Sequence, residues 1–255
     1  MTSLRTFNAI LWRDVFVTGR ELPSFLAQVI IQPFFILFIF AKVLGDIGYV
    51  QADFAAVLLP GIVAMNGFLG ALQNTTLPLV LDFSWTREIE DRLLAPIPIP
   101  MVAVEKMVFG ALRGLLAAVL MIPIGFVMLD VSWPLSGLPV ALLVIVLGSL
   151  AGAAMGMVIG TSVSPRHITV MFAVILTPLL FTGSAQFPWP ALDGLRWFQV
   201  LCALNPLTYV SEGMRAVLVP NVEHMPLWVC FVVLIASILG FGALGMRGFM
   251  RRALD

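Results

Sequence analysis

The chain has 255 residues, of which 60% are hydrophobic and 11% are charged, and its formal net charge at pH 7 is zero. A soluble domain carries roughly 25% charged residues, so this composition excludes a soluble enzyme and a disordered chain. The lack of net positive charge excludes a nucleic-acid binder, and two cysteines exclude a disulfide scaffold or a cysteine-clustered metal site. We therefore expect an all-α membrane protein in which residues 1–255 form one transmembrane domain.

An amphipathic helix on the inner membrane surface is predicted for residues 2–21. Leu4, Phe7, Leu11 and Val15 recur at helical spacing, and arginines are interleaved between them. Apolar residues on one face with basic residues beside them are typical of a helix that lies in the plane of the membrane. The pattern leaves open whether this helix is anchored by lipid or docked on a partner.

Six apolar stretches are long enough to cross ~30 Å of hydrocarbon as helices. They are predicted at residues 22–44, 54–81, 107–129, 138–164, 167–183 and 226–247. These stretches are continuous, whereas the strands of a membrane β-barrel would alternate between apolar and polar residues. Most lysines and arginines flank the spans on the side that holds both termini, which predicts that both termini are cytoplasmic.

The segment between the second and third spans, residues 84–100, is predicted to form a short charged helix followed by a rigid proline turn. Arg87 with Asp91, and Glu88 with Arg92, are spaced i,i+4 and can pair on one helix. The three prolines that follow them cannot continue a helix. The residues favour a solvated loop helix and a docking helix for a cytoplasmic partner equally.

A second segment, residues 187–219, is predicted to form two short helices on the outer side. Asn205 suits an N-cap and Pro206 suits the first helical position, while Glu212 and Arg215 are spaced i,i+3. The segment is too apolar to lie in water and too short to cross the bilayer. We predict a re-entrant hairpin that protein or a cavity surrounds, and an outer gate and a structural plug both remain open.

Small and polar residues within the spans form two further patterns. Glycines recur at every fourth residue of the fourth span, at Gly148, Gly152, Gly156 and Gly160. This stripe predicts close contact with another helix. Amides lie in the first two spans, at Gln28, Gln32, Asn66, Gln73 and Asn74. An amide in hydrocarbon is costly unless it is paired or hydrated, so these residues predict either hydrogen bonds between helices or a polar pathway.

Motifs for catalysis and for nucleotide binding are absent from the sequence. His167 and His224 fall on opposite sides of the membrane in the predicted topology, so we expect no metal site and no catalytic dyad between them. Neither lysine follows a glycine, and a P-loop requires that pair. We therefore expect no enzyme activity, and any ATP that drives this protein must be bound by another chain.

Two segments resemble parts of a known protein family. They are Arg87-Glu-Ile-Glu-Asp-Arg-Leu-Leu-Ala-Pro96, and the stretch from Phe187-Pro-Trp through Asn205-Pro-Leu-Thr-Tyr209 to Glu212 and Arg215. In this order on six spans, they resemble the membrane permease subunit of type-2 ABC exporters, a family of drug-resistance, lipo-oligosaccharide and polysaccharide export permeases. The resemblance covers essentially the whole chain and is closest to the drug-resistance and nodulation-factor branch. One departure is the apolar Pro96-Ile-Pro-Ile-Pro100, where that branch often carries a basic residue.

The resemblance implies how such a chain is driven. The family's first inner loop carries a coupling helix that sits in a groove of a cytoplasmic ATPase subunit. This role carries over onto Arg87, Glu88, Ile89, Glu90, Asp91, Arg92, Leu93 and Leu94. Two ATPase subunits, which bind ATP and magnesium, and a second permease complete the unit in the bacterial inner membrane. The second permease is identical in a homodimer and different in a heterodimer.

The resemblance also implies a route for the substrate, which passes between two permeases alongside the first, second and fifth spans. The five amides are then pathway candidates, and the outer hairpin is represented by Asn205, Pro206, Tyr209, Glu212 and Arg215. A drug, a lipid or a lipid-linked saccharide would fit such an apolar route. The alternative is an ion-coupled secondary transporter, but the centre of each span lacks an acidic residue that could couple transport to protons or sodium.

Overall fold

The computed structural model describes residues 2–20, 22–50, 53–84, 98–129 and 131–254. These residues form helices joined by turns, with no strand among them. Six of the described helices are long and apolar enough to cross a membrane. The prediction of an all-α protein with six spans is therefore confirmed for this part of the chain.

We number the helices in chain order. They are α1 (Thr2–Arg20), α2 (Leu22–Asp46), α3 (Phe54–Ser84), α4 (Ile99–Leu129), α5 (Leu138–Ser162), α6 (Pro165–Thr182), α7 (Arg196–Ala203), α8 (Pro206–Leu218) and α9 (Leu227–Leu254). A π-helical turn interrupts α2 at Phe38–Val43 and α6 at Phe172–Leu176. The six spans are α2, α3, α4, α5, α6 and α9, and the predicted N-terminal helix corresponds to α1.

The centre of the fold is α3, which packs against α4 on one side and α5 on the other. In its most apolar stretch 78% of the residues are buried within the chain, compared with 28% in α2 and 6% in α6. Apolar side chains that one chain leaves uncovered in a membrane face lipid or another protein. The outer surfaces of α2 and α6 are therefore available to lipid or to a partner, as are those of α4 and α9, which are 28% and 11% buried over the same length.

Three glycines of the α5 stripe lie against the backbone of α3, whereas the fourth, Gly148, faces the side chain of Val210 in α8. A Cβ atom added at Gly156 would lie 2.5 Å from the carbonyl oxygen of Leu72, and one at Gly160 would lie 3.1 Å from that of Thr76. The hydroxyl of Thr76 donates to the Gly156 carbonyl at 3.0 Å. Only a side chain no larger than a hydrogen atom allows these two helices to approach so closely.

The third span begins at Ile99, earlier than the predicted start at residue 107. Pro100 is accommodated because it stands in the first helical turn, where a missing N–H leaves no intrahelical hydrogen bond unmade. Glu105 and Lys106, which precede the predicted start, lie within this helix and are buried in the bundle. The predicted inner helix, Arg87 to Leu94, lies outside the described residues.

Candidate functional site

A groove of ≈ 560 Å³ runs between α2, α3 and α6. Its walls are mainly apolar and include the side chains of Phe35, Phe40 and Phe181. Phe35 and Phe181 expose just over half of their surface within this chain. The groove thus presents uncovered aromatic rings on the side where the chain itself supplies no further wall.

Polar side chains line the same groove at separated points. Gln32 of α2 and Gln73 of α3 face it, and so do Thr177 of α6 and Gln186 in the connection that follows α6. Thr177 and Gln186 were not singled out from the sequence, because each is a single polar residue without a periodic pattern. Only the packing of α6 beside α2 and α3 brings them to the predicted amides.

A second, smaller cavity of ≈ 40 Å³ continues the groove between α2 and α3. The two cavities share Gln32, Leu69 and Gln73. The other residues predicted to line a pathway, Gln28, Asn66 and Asn74, line the smaller cavity. The structure therefore brings all five sequence-selected amides to one continuous groove.

Asn66 connects three helices through its side chain. Its amide nitrogen donates to the carbonyl oxygen of Val29 in α2 at 3.0 Å and to that of Ala117 in α4 at 2.9 Å. The amide nitrogen of Asn74 donates at 2.7 Å to the carbonyl oxygen of Gly70, within α3 itself. Both asparagine side chains therefore donate hydrogen bonds to backbone carbonyl groups of helices.

The two short helices α7 and α8 follow α6 in the chain and lie within the segment predicted to form a hairpin. Asn205 caps α8, because its side-chain oxygen accepts a hydrogen bond from the backbone N–H of Leu207 at 3.0 Å. The Asn205 amide nitrogen also donates to the carbonyl oxygen of Leu179 in α6 at 2.8 Å. Tyr209 donates its hydroxyl to the carbonyl oxygen of Ala203 at 2.8 Å, which ties α8 to α7.

Glu212 and Arg215 form an ion pair in the interior of the protein, and neither side chain is exposed. The guanidinium nitrogen Nη1 lies 2.8 Å from the carboxylate oxygen Oε1. Arg215 also donates through Nε to the carbonyl oxygen of Val57 at 3.2 Å and through Nη2 to that of Ala185 at 2.8 Å. The arginine thereby joins α8 to the first turn of α3 and to the connection after α6.

The Glu212 carboxylate accepts two backbone hydrogen bonds in addition to the ion pair. Oε1 accepts from the N–H of Trp189 at 3.0 Å, and Oε2 accepts from the N–H of Met225 at 3.1 Å. Burial lowers the pKa of Arg215, while the adjacent carboxylate opposes that shift. Because both charges are hydrogen-bonded on several sides, the penalty of removing them from water is largely offset.

The connection after α6 makes a strained turn beside this ion pair. Ser184 has a φ of 49°, in the left-handed region that few residues other than glycine adopt. The carbonyl oxygen of Gly183 accepts the hydroxyl of Ser211 at 3.0 Å, and that of Ala185 accepts Arg215. The flanking hydrogen bonds to α8 hold the strained residue in place.

Comparison with known proteins assigns the chain to a family. Residues 5–219 match the family model described as ABC-2 type transporter. The chain belongs to this family. The permease is 29% identical over 240 residues to the inner membrane transport permease YadH of Escherichia coli (strain K12), which covers 88% of this chain and 90% of YadH. This similarity and the six apolar helices identify the permease as a multi-pass inner-membrane protein with a role in transport.

Two further relatives carry related names. Nodulation protein J of Sinorhizobium fredii is 29% identical over 164 residues, which cover 64% of this chain and 61% of that protein. The putative transport permease ycf38 of Cyanophora paradoxa is 27% identical over 220 residues, with 81% and 72% covered. Members of this family are transmembrane transport subunits, as the sequence predicted.

The C-terminal end of the permease's α3 is held by a second group of buried charges. The Lys106 ammonium nitrogen in α4 lies 2.7 Å from a carboxylate oxygen of Asp82 in α3 and 3.9 Å from one of Asp14 in α1. Each of the three side chains exposes 10% or less of its surface. This cluster was missed in the sequence because Lys106 stood next to an apolar stretch and was taken as its boundary.

An aromatic cluster lies at the same C-terminal end of α3. The ring of Phe83 lies 5.3 Å from that of Phe249 in α9, and the Arg252 guanidinium carbon lies 5.0 Å above the Phe83 ring. Adjacent residues of α3 are thus braced by α1 and α4 on one side and by α9 on the other. The last turn of α3 leads directly to residues 85–97, which contain the predicted coupling helix.

Helix α1 turns a polar residue, and not its large aromatic residues, toward the bundle. Asp14 faces the bundle and is 8% exposed, whereas Trp12 and Phe16 are 72% and 58% exposed. The Arg20 guanidinium carbon lies 4.9 Å from the centre of the Phe16 ring. The large apolar side chains of this stretch of α1 therefore face outward beside basic residues, while a carboxylate makes the contact with the bundle.

Proposed function

We propose that this permease is the membrane subunit of an ATP-driven exporter for an amphipathic or lipid-like substrate. The observation that carries the proposal is the groove between α2, α3 and α6, which combines aromatic walls with Gln32 and Gln73. A substrate with an apolar body and polar groups matches such a lining. A drug, a lipid or a lipid-linked saccharide has this character.

The proposed working unit contains two permeases and two cytoplasmic ATPase subunits. The groove is open where α2 and α6 are poorly buried, so a second permease on that side would close it into a pathway. The second permease is an identical chain in a homodimer or a related one in a heterodimer. ATP and magnesium are bound by the ATPase subunits, and this chain supplies no part of that site.

We place both termini in the cytoplasm and the ATPase contact on the segment Arg87 to Leu94. That segment connects α3 and α4, whose ends are joined by the ion pair of Asp82 and Lys106. A displacement imposed by the ATPase would reach the lining of the groove through α3, which carries Gln73. Nucleotide binding would thereby shift the permease between an inward-open and an outward-open state.

On the outer side, we propose that α7 and α8 form a re-entrant hairpin that acts as a gate. The hydrogen bonds of Arg215 to Val57 and Ala185 link this hairpin to α3 and to the end of α6. Both of those helices also line the groove. A movement of α3 or α6 would therefore be transmitted to the hairpin.

The first experiment is a pull-down of the tagged permease in mild detergent with mass spectrometry of co-purifying proteins. We expect a P-loop ATPase in equal amount, and ATP-dependent transport after the complex is reconstituted into vesicles. Purification of the chain alone, with transport that follows an ion gradient, would instead support the secondary transporter.

The double variant Glu88→Lys, Asp91→Lys then tests the coupling segment. We expect it to lower transport per ATP hydrolysed at least about tenfold, because charge reversal in a docking contact converts attraction into repulsion. The control is Glu223→Lys, which reverses one acidic residue in the loop between α8 and α9 and should leave this ratio unaltered. Equal ratios in all three proteins would contradict the docking role.

A further inference from the structure

We infer that the groove binds an uncharged amphiphile whose hydroxyl or amide groups are held by glutamine side chains, while the asparagines beside them hold the helices together. The inference rests on the proposed function, in that it takes the groove as the substrate pathway. It goes further by naming the charge class of the substrate and by separating residues that contact substrate from those that pack helices.

The first observation is that the asparagines and the glutamines that line the groove differ in their hydrogen bonds. Asn66 and Asn74 donate to helix carbonyl groups. The glutamines, by contrast, make no hydrogen bond to any other residue that the structure describes; they are Gln28, Gln32, Gln73 and Gln186. Each offers two N–H donors and one carbonyl acceptor.

Unpaired amides at membrane depth need a partner from outside the chain. No water replaces a missing hydrogen bond in the hydrocarbon core, so an unsatisfied amide there is costly. Glutamines on α2 and α3, which belong to two different spans, face one continuous groove. A substrate with several hydroxyl or amide groups could satisfy them together, and a pure hydrocarbon chain could satisfy none.

The second observation is the electrical neutrality of this lining. None of the described residues that line either cavity is a lysine, arginine, histidine, aspartate or glutamate. A charged headgroup that entered this groove would leave water without meeting a counter-ion, which is strongly unfavourable. A neutral headgroup loses only hydrogen bonds to water, and the glutamines can replace those bonds.

The third observation is the apolar wall in the same cavity as the amides. Phe35, Phe40 and Phe181 lie along the larger cavity, and their rings are exposed within this chain. They suit an acyl chain or a fused apolar body, which gains by contact with the rings. A neutral headgroup joined to an apolar body therefore matches both sides of the groove.

The test uses photo-crosslinking in vesicles that contain the permease, with or without its ATPase. Two probes carry the same diazirine-labelled diacylglycerol, and they differ only in a neutral glucosyl or a cationic trimethylammonium headgroup. We expect the glucosyl probe to label α2, α3 and α6 at least about fivefold more strongly, the factor that one ordinary net hydrogen bond supplies. An anionic probe with a phosphate headgroup should label as weakly as the cationic one.

Isosteric variants identify the residues that set this preference. Gln73→Glu keeps the shape of the side chain and adds a carboxylate, so labelling should shift toward the cationic probe. Gln73→Leu removes the hydrogen bonds without adding charge, so labelling by the glucosyl probe should fall with no gain for the cationic one. The pair Gln32→Glu and Gln32→Leu repeats the test on the exposed face of α2, where a change of fold is not expected.

The outcomes separate this inference from the proposed function. Equal labelling by all three probes, or labelling unaltered in the glutamate variants, overturns the selection of neutral substrates even if an ATPase co-purifies. Absence of any ATPase overturns the proposed exporter, whereas probe binding needs no ATPase and is measured independently. Stronger labelling of wild type by the cationic probe would also overturn the inference.

Discussion

The Arg215 side chain donates a hydrogen bond to the backbone carbonyl oxygen of Val57, with 3.2 Å between nitrogen and oxygen. Val57 lies near the start of α3 and is far from Arg215 in the sequence. The same guanidinium group pairs with Glu212 and also holds the carbonyl oxygen of Ala185. One buried cation thus joins α8 to α3, which borders the groove, and to the connection that follows α6.

The first prediction concerns this ion pair. Arg215→Met should lower the free energy of unfolding by about 3–5 kcal/mol, because it leaves a buried carboxylate without its cation. The double variant Glu212→Gln, Arg215→Met should be more stable than the single arginine variant, since it removes the uncompensated charge. Thermal unfolding in detergent, followed by size-exclusion chromatography, measures both effects. A double variant that is no more stable than Arg215→Met would contradict an unfavourable unpaired carboxylate at this site.

The second prediction concerns Lys106. Replacing it with methionine leaves Asp82 and Asp14 buried together, so we expect a loss of about 3–5 kcal/mol in stability. The matched control is Lys42→Met, because Lys42 pairs with Asp46 at 3.2 Å on an exposed surface, where such a pair contributes at most about 1 kcal/mol. Similar melting temperatures for the two variants would contradict a structural role for the buried cluster.

The third prediction concerns the glycine stripe of α5. Replacing Gly152 and Gly156 with leucine should push α5 away from α3 and reduce the yield of folded protein, since each added side chain would overlap the α3 backbone. The control is the same double change at Gly240 and Gly242 of α9, where an added Cβ would meet nothing within 4 Å. Fluorescence-detected size exclusion compares the two, and normal yield of the α5 variant would remove the packing role.

The fourth prediction separates an amide that packs helices from one that faces the groove. Asn66→Leu removes hydrogen bonds to α2 and α4, so stability should fall by about 1–3 kcal/mol. Gln28→Leu should leave the melting temperature unaltered and reduce transport, because the structure describes no hydrogen bond of Gln28 to the chain. A stable Asn66 variant together with an unstable Gln28 variant would contradict this assignment of roles.

Local chemistry made several features predictable. The N-cap at Asn205 follows from its side-chain oxygen and the proline after it, and the hydrogen bond from Leu207 has the predicted form. The spacing of Glu212 and Arg215 also indicated that they could pair. Local spacing did not indicate that the pair would be buried, nor that it would contact Val57 and Ala185, because those partners approach only when α8 enters the bundle.

The start of α4 illustrates the opposite case. A charged pair, Glu105 and Lys106, ordinarily marks the end of a membrane span, and the predicted boundary at residue 107 followed from that rule. The bundle supplies Lys106 with buried carboxylates from α1 and α3, so the charge lies inside the bundle. The helix therefore continues through these charges, because a buried charge is costly only when nothing compensates it.

The amino-acid sequence by itself determined the class of the protein and the presence of six spans, and it singled out the amides of the first two spans as either packing residues or pathway residues. Hydrophobic length and helical spacing are local properties, and a helix in a membrane satisfies its own backbone. Only the tertiary structure decided which amides are engaged in packing and where Lys106 and Arg215 find their partners. Those outcomes depend on contacts between residues distant in the chain, and no local pattern specifies the distances between such residues.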